Sequence, residues 1–306
     1  MTAANPNFPT RTDQSFSSGA VYGTLAALIW GAWPVVSRLG VEQTLTPFDI
    51  AALRFGVAGI VLLPLLMRRG TGGASWLGIT LLAGGAGVPY VLIMVGGLTM
   101  APAGHAGVLT PSCMLVFSTL GSWLFLGDRL NRGRACGLAV IIGGVVMIGW
   151  QGLSNGGADT WTGDLMFVGG GLLWACYTVT SRTFSFDPIH ATALVSVISM
   201  VLYLPAYLIL GTPNLAAAPI TEVGLHAVFQ GLFAGILALF FYTRSVIILG
   251  AARGAVFAAL VPGVAMLLAF PVLSEVPSPL ELVGVVTVTV GMFYALGLGQ
   301  PASVSR

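Results

Sequence analysis

Charged side chains are scarce in this sequence, and lysine is absent altogether. The chain has 12 arginines and 10 acidic residues among 306, so that 7% of its residues are charged, against roughly 25% in a soluble protein. Hydrophobic residues make up 56%. So few charges could not cover the surface of a soluble fold of this size, and a disordered chain would be far more polar. The composition therefore predicts a protein that lies in the lipid bilayer.

Motifs of nucleotide, metal and hydrolytic chemistry are also missing. The chain has no glycine-rich phosphate loop of the Walker A type, no HExxH and no GxSxG. Its three cysteines, Cys113, Cys136 and Cys176, are dispersed through apolar stretches and have neither zinc-site spacing nor the even number of a disulfide framework. The net charge of +2 is too small to indicate a nucleic-acid partner. We therefore expect no catalytic residue, no metal, no cofactor and no enzymatic activity.

Long apolar runs take up most of the sequence. A transmembrane helix needs about 20 mostly apolar residues, and many stretches meet that requirement. We expect an all-α polytopic membrane protein with ten transmembrane helices. Residues 1–18 are interpreted as a polar N-terminal tail rather than a cleaved signal peptide, and residues 299–306 as a C-terminal tail. The predicted spans are 19–38, 47–67, 74–98, 102–126, 133–151, 163–182, 188–210, 223–248, 251–273 and 279–298.

The arginines predict the orientation of these spans, since loops on the cytoplasmic side carry an excess of basic residues. With a cytoplasmic N-terminus, Arg38 is the one arginine in an outer loop, and Arg54 lies inside a span. We therefore expect both termini in the cytoplasm and the protein in the plasma membrane. The inner loops and tails then hold Arg11, Arg68, Arg69, Arg129, Arg132, Arg134, Arg182, Arg244, Arg253 and Arg306.

The two halves of the chain resemble each other. Similar motifs recur at similar offsets across several spans, which is hard to obtain by chance even in a sequence rich in leucine, glycine and alanine. The matches indicate an internal duplication. The matching features are Leu28–Trp33 with Leu172–Tyr177, Arg38 with Arg182, and Asp128 with Glu275.

The duplication predicts two repeats, 19–151 and 163–298, joined by a linker at 152–162. Each repeat holds five predicted spans, and because five is odd the second repeat enters the membrane from the opposite side. Inverted repeats are typical of secondary transporters, in which two halves open a shared central site to one face and then to the other. A stable bundle or a channel is the alternative interpretation.

A set of short motifs in order gives a family resemblance. Ala-Leu-Arg-Phe stands at Ala52–Phe55, early in the second span, and Leu-Gly-Asp-Arg-Leu at Leu126–Leu130 follows the fourth. Glu275 occupies the equivalent place in the second repeat, with Pro262 before it. Over roughly residues 19–298 the chain resembles the drug/metabolite transporter superfamily, EamA type.

The resemblance implies a carrier of small metabolites in the plasma membrane, which is the inner membrane in bacteria. Such carriers are often exporters and sometimes export amino acids. The second repeat has Val195 where the first has Arg54, so the two halves are not functionally equivalent.

Aromatic residues are the first candidates for a substrate site. Trp30 and Trp33 lie at helical spacing and so share one face of the first span, and Trp174 and Tyr177 do the same in the sixth. The repeat symmetry places these faces opposite each other, which predicts an aromatic-lined cavity. The alternative is that these rings anchor the helices at the membrane interface.

Three further residues complete the predicted site: Arg54, Tyr90 and His105. Arg54 lies inside a span and could bind a substrate carboxylate, reach the interface or pair with Asp49. Tyr90 follows Pro89 in a glycine-rich stretch, where a kinked helix could line the cavity. His105 could bind substrate or carry a proton, or it could simply be hydrogen-bonded at a helix end.

The acidic residues in the loops are expected to have structural roles. We expect Asp128 and Glu275 to order their loops, with Arg129 as a partner for Asp128. We expect no carboxylate inside any span, which disfavours proton coupling through a carboxylate and leaves His105, facilitated diffusion or exchange.

The resulting hypothesis is a secondary transporter that exports small organic metabolites, amino acids or similar solutes, by alternating access around the aromatic cavity. Its expected partners are the small-molecule substrate and the lipid bilayer, and a monomer is plausible. The alternatives are an exporter of drugs or organic cations from the same family and an integral-membrane enzyme. A channel or sensor fits less well, because the spans are too apolar for a wide pore and no loop is long enough for an output domain.

Overall fold

The computed structural model describes residues 11–155, 157–210 and 214–297, and within them the regular secondary structure consists of helices without a β-strand. The all-α polytopic prediction is confirmed. Eight helices of this part of the chain are long and apolar enough to cross a membrane. A 17-residue apolar helix at Pro279–Ala295 and a 27-residue helix at Gly157–Thr183 bring the bundle to the predicted number of ten. We call each of the ten a rod, whether it consists of one helix or of several consecutive helices.

In the first half of the chain, the third rod is made of two helices, α3 and α4, and every other rod is a single helix. The helices are α1 (Arg11–Gln43), α2 (Pro47–Arg69), α3 (Trp76–Ala86), α4 (Val88–Leu98), α5 (Ala103–Leu126) and α6 (Arg132–Asn155).

In the second half, α9, a π-helical segment and α10 form one continuous rod, and α11 and α12 form another. The elements are α7 (Gly157–Thr183), α8 (Pro188–Leu210), α9 (Ile220–His226), the π segment (Ala227–Leu237), α10 (Ala238–Leu249), α11 (Ala251–Ala259), α12 (Val261–Leu273) and α13 (Pro279–Ala295).

Several helices extend beyond the predicted spans. α1 begins at Arg11 instead of residue 19, and α6 and α7 run through most of the segment 152–162 that the sequence indicated as a linker. Apolar composition marks the part of a helix that faces lipid, and it does not detect polar turns that continue the helix. Residues 1–10 and 299–306 of the predicted tails lie outside the described residues.

Local sequence explains where key helices begin. Thr46 caps α2 and forms a reciprocal capping box with Asp49, and Ser278 and Glu281 do the same for α13. A proline follows each cap, at the first helical position where its missing N–H costs nothing.

The third rod of each half is irregular near its middle. Between α3 and α4, Gly87 lies so close to Ala83 and Ser199 that a Cβ atom would meet the Ala83 carbonyl oxygen at 2.2 Å. Pro89 removes a backbone donor in the next turn. The helix is interrupted at Gly87, in the stretch where the sequence predicts a kink. The corresponding rod of the second half contains the π segment, a form of helix that often occurs at functional sites.

The two halves interlock. α1 of the first half packs on α10 and α12 of the second, and α7 of the second packs on α3, α4 and α5 of the first. α2 packs on α8, and α6 packs on α13. This reciprocal arrangement follows from the inverted two-repeat fold.

The bundle has two ends, which we name after two arginines. At the Arg38 end, α1, α4, α6, α8 and α12 finish and α2, α5, α7, α9 and α13 begin. At the Arg182 end, α2, α5, α7, α10 and α13 finish and α1, α3, α6, α8 and α11 begin.

Candidate functional site

A small central cavity lies between the two repeats. Its volume is about 50 Å³, which holds a few water molecules and is far below the ~300–1,000 Å³ of clefts that bind drug-sized ligands. Both repeats contribute side chains to its wall, among them two threonine or serine hydroxyls. The lining residues are Trp30, Arg54, Phe55, Ala58, Ala86, Trp174, Tyr177, Thr192, Val195, Ser196, Ala234, Gly235 and Leu239.

Four of the five predicted aromatic residues form a continuous layer of ring contacts beside this cavity. The Trp174 ring lies 4.8 Å from Tyr90 and 5.5 Å from Tyr177, centroid to centroid. Tyr90 in turn stacks on Trp33 at 6.0 Å. Trp33 and Tyr90 do not line the cavity wall and are buried behind it. Trp30, the fifth, contacts the ring of Tyr242 at 5.1 Å, centroid to centroid.

A buried glutamine holds the aromatic layer in place. The indole N–H of Trp33 donates to Oε1 of Gln230 at 2.7 Å, and Nε2 of Gln230 donates to the Ser37 hydroxyl at 2.9 Å. Gln230 is fully buried and lies in the π segment. Gln230 is not among the residues predicted for the site, although a lone amide in the apolar run 227–237 is a sequence signal for a buried polar group.

Arg54 is a buried cation at the cavity wall. Only 8% of the residue is exposed, so it is enclosed by the bundle and does not extend to the protein surface. Its central carbon lies 5.6 Å from the centroid of the Trp33 ring, a distance at which cation and ring attract each other. Among the described residues, Arg54 forms no ion pair.

The suggested pairing of Arg54 with Asp49 is wrong. The Asp49 carboxylate accepts hydrogen bonds from Thr46, from the hydroxyl of Tyr207, and from the backbone N–H of Asn214 at 3.2 Å. These partners lie at the Arg38 end. Arg54 is therefore left to face the cavity.

His105 lies away from the other six predicted site residues. Its Nδ1 is 2.8 Å from Asp164, and its Nε2 is 2.6 Å from Glu281. Asp49, Asp164 and Glu281 all lie within helices, so the expectation of spans without carboxylates is wrong. Each acid lies in the part of its helix nearest the Arg38 end. Apolar composition does not predict whether a polar residue near a helix end is buried.

Besides the exposed pair of Arg69 with Asp187, two equivalent ion pairs join the repeats, one at each end of the bundle. At the Arg38 end, Arg38 Nε lies 3.2 Å from Glu275. At the other, Arg182 Nη1 lies 2.9 Å from Asp128, which corrects the expectation that Asp128 pairs with Arg129. The Arg182 hydrogen bond lowers the pKa of the Asp128 carboxyl below its usual 3.8.

The pair at the Arg38 end is the more enclosed. Its side chains are 21% and 17% exposed, against 50% and 33% for Arg182 and Asp128. Glu275 also accepts the backbone N–H groups of Ala103 at 2.9 Å and Gly104 at 3.0 Å, at the start of α5. Arg38 also donates to the carbonyl oxygens of Leu98 and Ala101. This end of the bundle is thus tied together by several bonds.

Comparison with known proteins agrees with this fold. The model of the EamA-like transporter family matches residues 17–150 and again 161–297. A solved crystal structure with 22% identity covers 92% of this chain and 97% of its own, with a TM-score of 0.62. That likeness shows the fold alone.

Curated relatives are similar along most of their length. The uncharacterized inner membrane transporter YedA of Escherichia coli (strain K12) is 29% identical over 291 residues, covering 89% of this chain and 92% of YedA. The uncharacterized transporter YyaM of Bacillus subtilis (strain 168) is 27% identical, with coverages of 83% and 85%. A Streptantibioticus cattleyicolor protein named "Probable terminal-alkyne amino-acid exporter" is 28% identical, with coverages of 85% and 87%.

The apolar helices, the two interlocked repeats and the double family match lead to one conclusion. This chain is a multi-pass membrane transporter, and it belongs to the EamA-like transporter family of the drug/metabolite transporter superfamily.

Proposed function

We propose that this protein exports small organic solutes that carry a carboxylate, with aromatic or other apolar amino acids as the favoured class. The observation that carries the proposal is the Arg54 guanidinium, which is buried at the cavity wall without an ion-pair partner among the described residues.

A buried cation without a counter-ion is unfavourable, because burial removes its hydration. In the described part of the chain, no acidic side chain pairs with Arg54 to compensate for that loss. A substrate carboxylate would supply the missing charge, and a guanidinium binds a carboxylate through two parallel hydrogen bonds. The side chains of Trp30, Trp174 and Tyr177 line the same cavity as Arg54. Stacking on these rings favours a substrate with an apolar or aromatic side chain.

A relative supports the amino-acid class. The Streptantibioticus cattleyicolor protein whose name describes an amino-acid exporter is similar along 85% of this chain. The alternative of an organic-cation exporter lacks comparable support, because the described residues of the cavity wall include no carboxylate.

Alternating access is the mechanism we propose. The cavity of about 50 Å³ is too small for an amino acid, so substrate entry requires the repeats to separate at one end. Arg38–Glu275 and Arg182–Asp128 each join one repeat to the other, at opposite ends, and they are suited to open in turn. The excess of arginine at the Arg182 end favours a cytoplasmic position for that end.

Counterflow in proteoliposomes tests the substrate class. Vesicles preloaded with phenylalanine, with phenylacetate (no amine) or with phenethylamine (no carboxylate) take up labelled phenylalanine. We expect exchange with the first two and little with the third. The proposal fails if phenethylamine exchanges as well as phenylalanine, or if no carboxylate-bearing solute exchanges.

The Arg54→Gln variant tests the residue itself. We expect it to lose at least about tenfold in exchange rate at low substrate, since removing one partner of a buried charged pair costs about 2–5 kcal/mol. Arg68→Gln is the matched control, because Arg68 is exposed at the end of α2. An Arg54→Gln protein that exchanges like Arg68→Gln would contradict the role of Arg54.

A further inference from the structure

We propose that His105, Asp164 and Glu281 form a proton-binding site that holds the two repeats together at the Arg38 end. The bound ligand is a proton, and its release weakens the contact between repeats. Proton binding itself does not depend on the identity of the substrate, whereas its consequence for transport rests on the proposed function.

The two short contacts of the His105 ring require an additional proton. His105 Nδ1 lies 2.8 Å from Asp164 Oδ1, and Nε2 lies 2.6 Å from Glu281 Oε1. A neutral imidazole has a single N–H, so it can donate to only one ionised carboxylate. Both short contacts are hydrogen bonds only when the trio holds one additional proton, on the imidazole or on a carboxyl group.

One carboxylate oxygen of the trio is unsatisfied. Oδ2 of Asp164 is buried and has no hydrogen-bond partner among the described residues. It faces Gly152 of α6, where a Cβ atom would lie 2.3 Å from it. The side chain of Asp164 is 6% exposed and that of His105 is 2% exposed. A buried carboxylate without further donors is costly when ionised, which favours retention of the additional proton.

Other charged groups around the trio are few. On α5, the N–H groups of Ala103 and Gly104 are held by Glu275, which follows α12 and pairs with Arg38 of α1. Within the described residues, the part of α6 near Asp164 brings no charged side chain. Oε2 of Glu281 is occupied by the backbone N–H of Ser278, in the capping box of α13. The groups free to take up the proton are therefore the three members of the trio.

The position of the trio connects the proton to conformation. His105 belongs to α5 of the first repeat, while Asp164 and Glu281 belong to α7 and α13 of the second. Loss of the proton removes one of the two bonds and leaves a carboxylate opposite a lone pair of the imidazole. Deprotonation thus favours separation of the repeats at the Arg38 end, and protonation favours the closed arrangement.

A distance measurement on the full-length protein tests this inference without any substrate. Spin labels are placed at Met100 and Val276, which are exposed and lie on different repeats at the Arg38 end, after the native cysteines are replaced by alanine. We expect the distance distribution to shift to longer values as the pH rises from about 5 to about 9. The inference is overturned if the distribution is the same at every pH.

Substitutions test whether the pH-dependent change in label distance depends on the trio. We expect His105→Gln and Asp164→Asn each to abolish the pH-dependent shift, whereas Asp187→Asn retains it, because Asp187 forms its exposed pair with Arg69 at the other end. Equal pH responses in wild type, His105→Gln and Asp164→Asn would overturn the inference.

Counterflow separates this inference from the proposed function. If the wild-type protein exchanges substrate but the label distance is the same at all pH values, the proton site is contradicted and the proposed function is not. A pH-dependent distance without exchange of any carboxylate-bearing solute supports the proton site and contradicts the proposed function.

Discussion

Arg38 and Arg182 occupy equivalent positions in the two repeats, and each pairs with an acid of the other repeat. Their partners, Glu275 and Asp128, are themselves equivalent by sequence. Because the repeats are inverted, one structural element appears at both ends of the bundle. It is more enclosed and has more additional bonds at the Arg38 end, so the structure is closed more firmly there.

Glu275→Gln should weaken closure at the Arg38 end. The substitution removes the charge that pairs with Arg38 and that accepts from Ala103 and Gly104. Hydrogen bonds to charged groups contribute about 1.5–3 kcal/mol each, and about 1.4 kcal/mol is a tenfold change in a population. We expect the label pair at Met100 and Val276 to move apart in most molecules at neutral pH.

Asp128→Asn provides the matched comparison for that variant. It removes the equivalent acid at the Arg182 end and should leave the distance at the Arg38 end unchanged or shorter. If Glu275→Gln and Asp128→Asn give the same distribution, the two pairs do not control separate ends.

The Arg182 end should be insensitive to pH over the physiological range. Arg182 lowers the pKa of Asp128 below 3.8, so the stabilisation from this pair is present above that value and is lost as the pH falls through the lowered pKa. Labels at Asn131 and Phe184, both exposed, should keep their distance between about pH 5 and pH 8. A change within that window would contradict this assignment.

Trp174→Ala should reduce transport sharply without preventing membrane insertion. The ring links Tyr90 to Tyr177 and forms part of the cavity wall, and an aromatic pair contributes about 0.5–1.5 kcal/mol beyond its buried area. Trp150→Ala is the control, because Trp150 is 63% exposed on the surface of α6. Initial counterflow rates of the two purified variants make the comparison. Normal counterflow rates for Trp174→Ala would contradict a role of the aromatic layer in substrate binding.

Gln230→Leu should destabilise the protein. It leaves the buried indole N–H of Trp33 and the Ser37 hydroxyl without their partner, at a cost of about 1–3 kcal/mol for each unsatisfied group. We expect a lower midpoint of thermal denaturation in detergent than for wild type. An unchanged midpoint would indicate that the two groups find other partners.

Contact between α6 and α13 depends on glycine. At Gly137 a Cβ atom would lie 2.3 Å from the backbone nitrogen of Ala295, and backbone cannot yield as a flexible side chain can. Gly137→Val should therefore lower the yield of folded, monodisperse protein. Gly143→Val on the same helix is the control, since nothing lies within 4 Å of its Cβ position. Similar chromatographic profiles for both variants would contradict close packing at Gly137.

The sequence was most informative where the pattern is local or repeated. The apolar runs predict the ten rods, and the internal duplication predicts that Arg38 and Arg182 are equivalent. Helical spacing predicts that Trp174 shares a face with Tyr177 and Trp30 with Trp33; the first two line the cavity, whereas of the second pair only Trp30 does. These features depend on residues close together in the chain or on symmetry.

Contacts between distant residues could not be predicted in the same way. The partners of His105 are 59 and 176 residues away, and Gln230 is 197 residues from Trp33. No spacing rule connects such positions, since each pairing depends on how rods of different repeats meet. For the same reason, sequence proximity predicts Arg129 as the partner of Asp128, whereas the structure pairs Asp128 with Arg182.

Interlocked packing also has a consequence for biosynthesis. The ribosome delivers α1 first, whereas its packing partners α10 and α12 are made near the end of translation. During insertion, the face of α1 that carries Trp33 has no native neighbour, and its hydrogen bond to Gln230 forms among the last contacts. The first five rods therefore lack their native packing partners until the second half of the chain has been made.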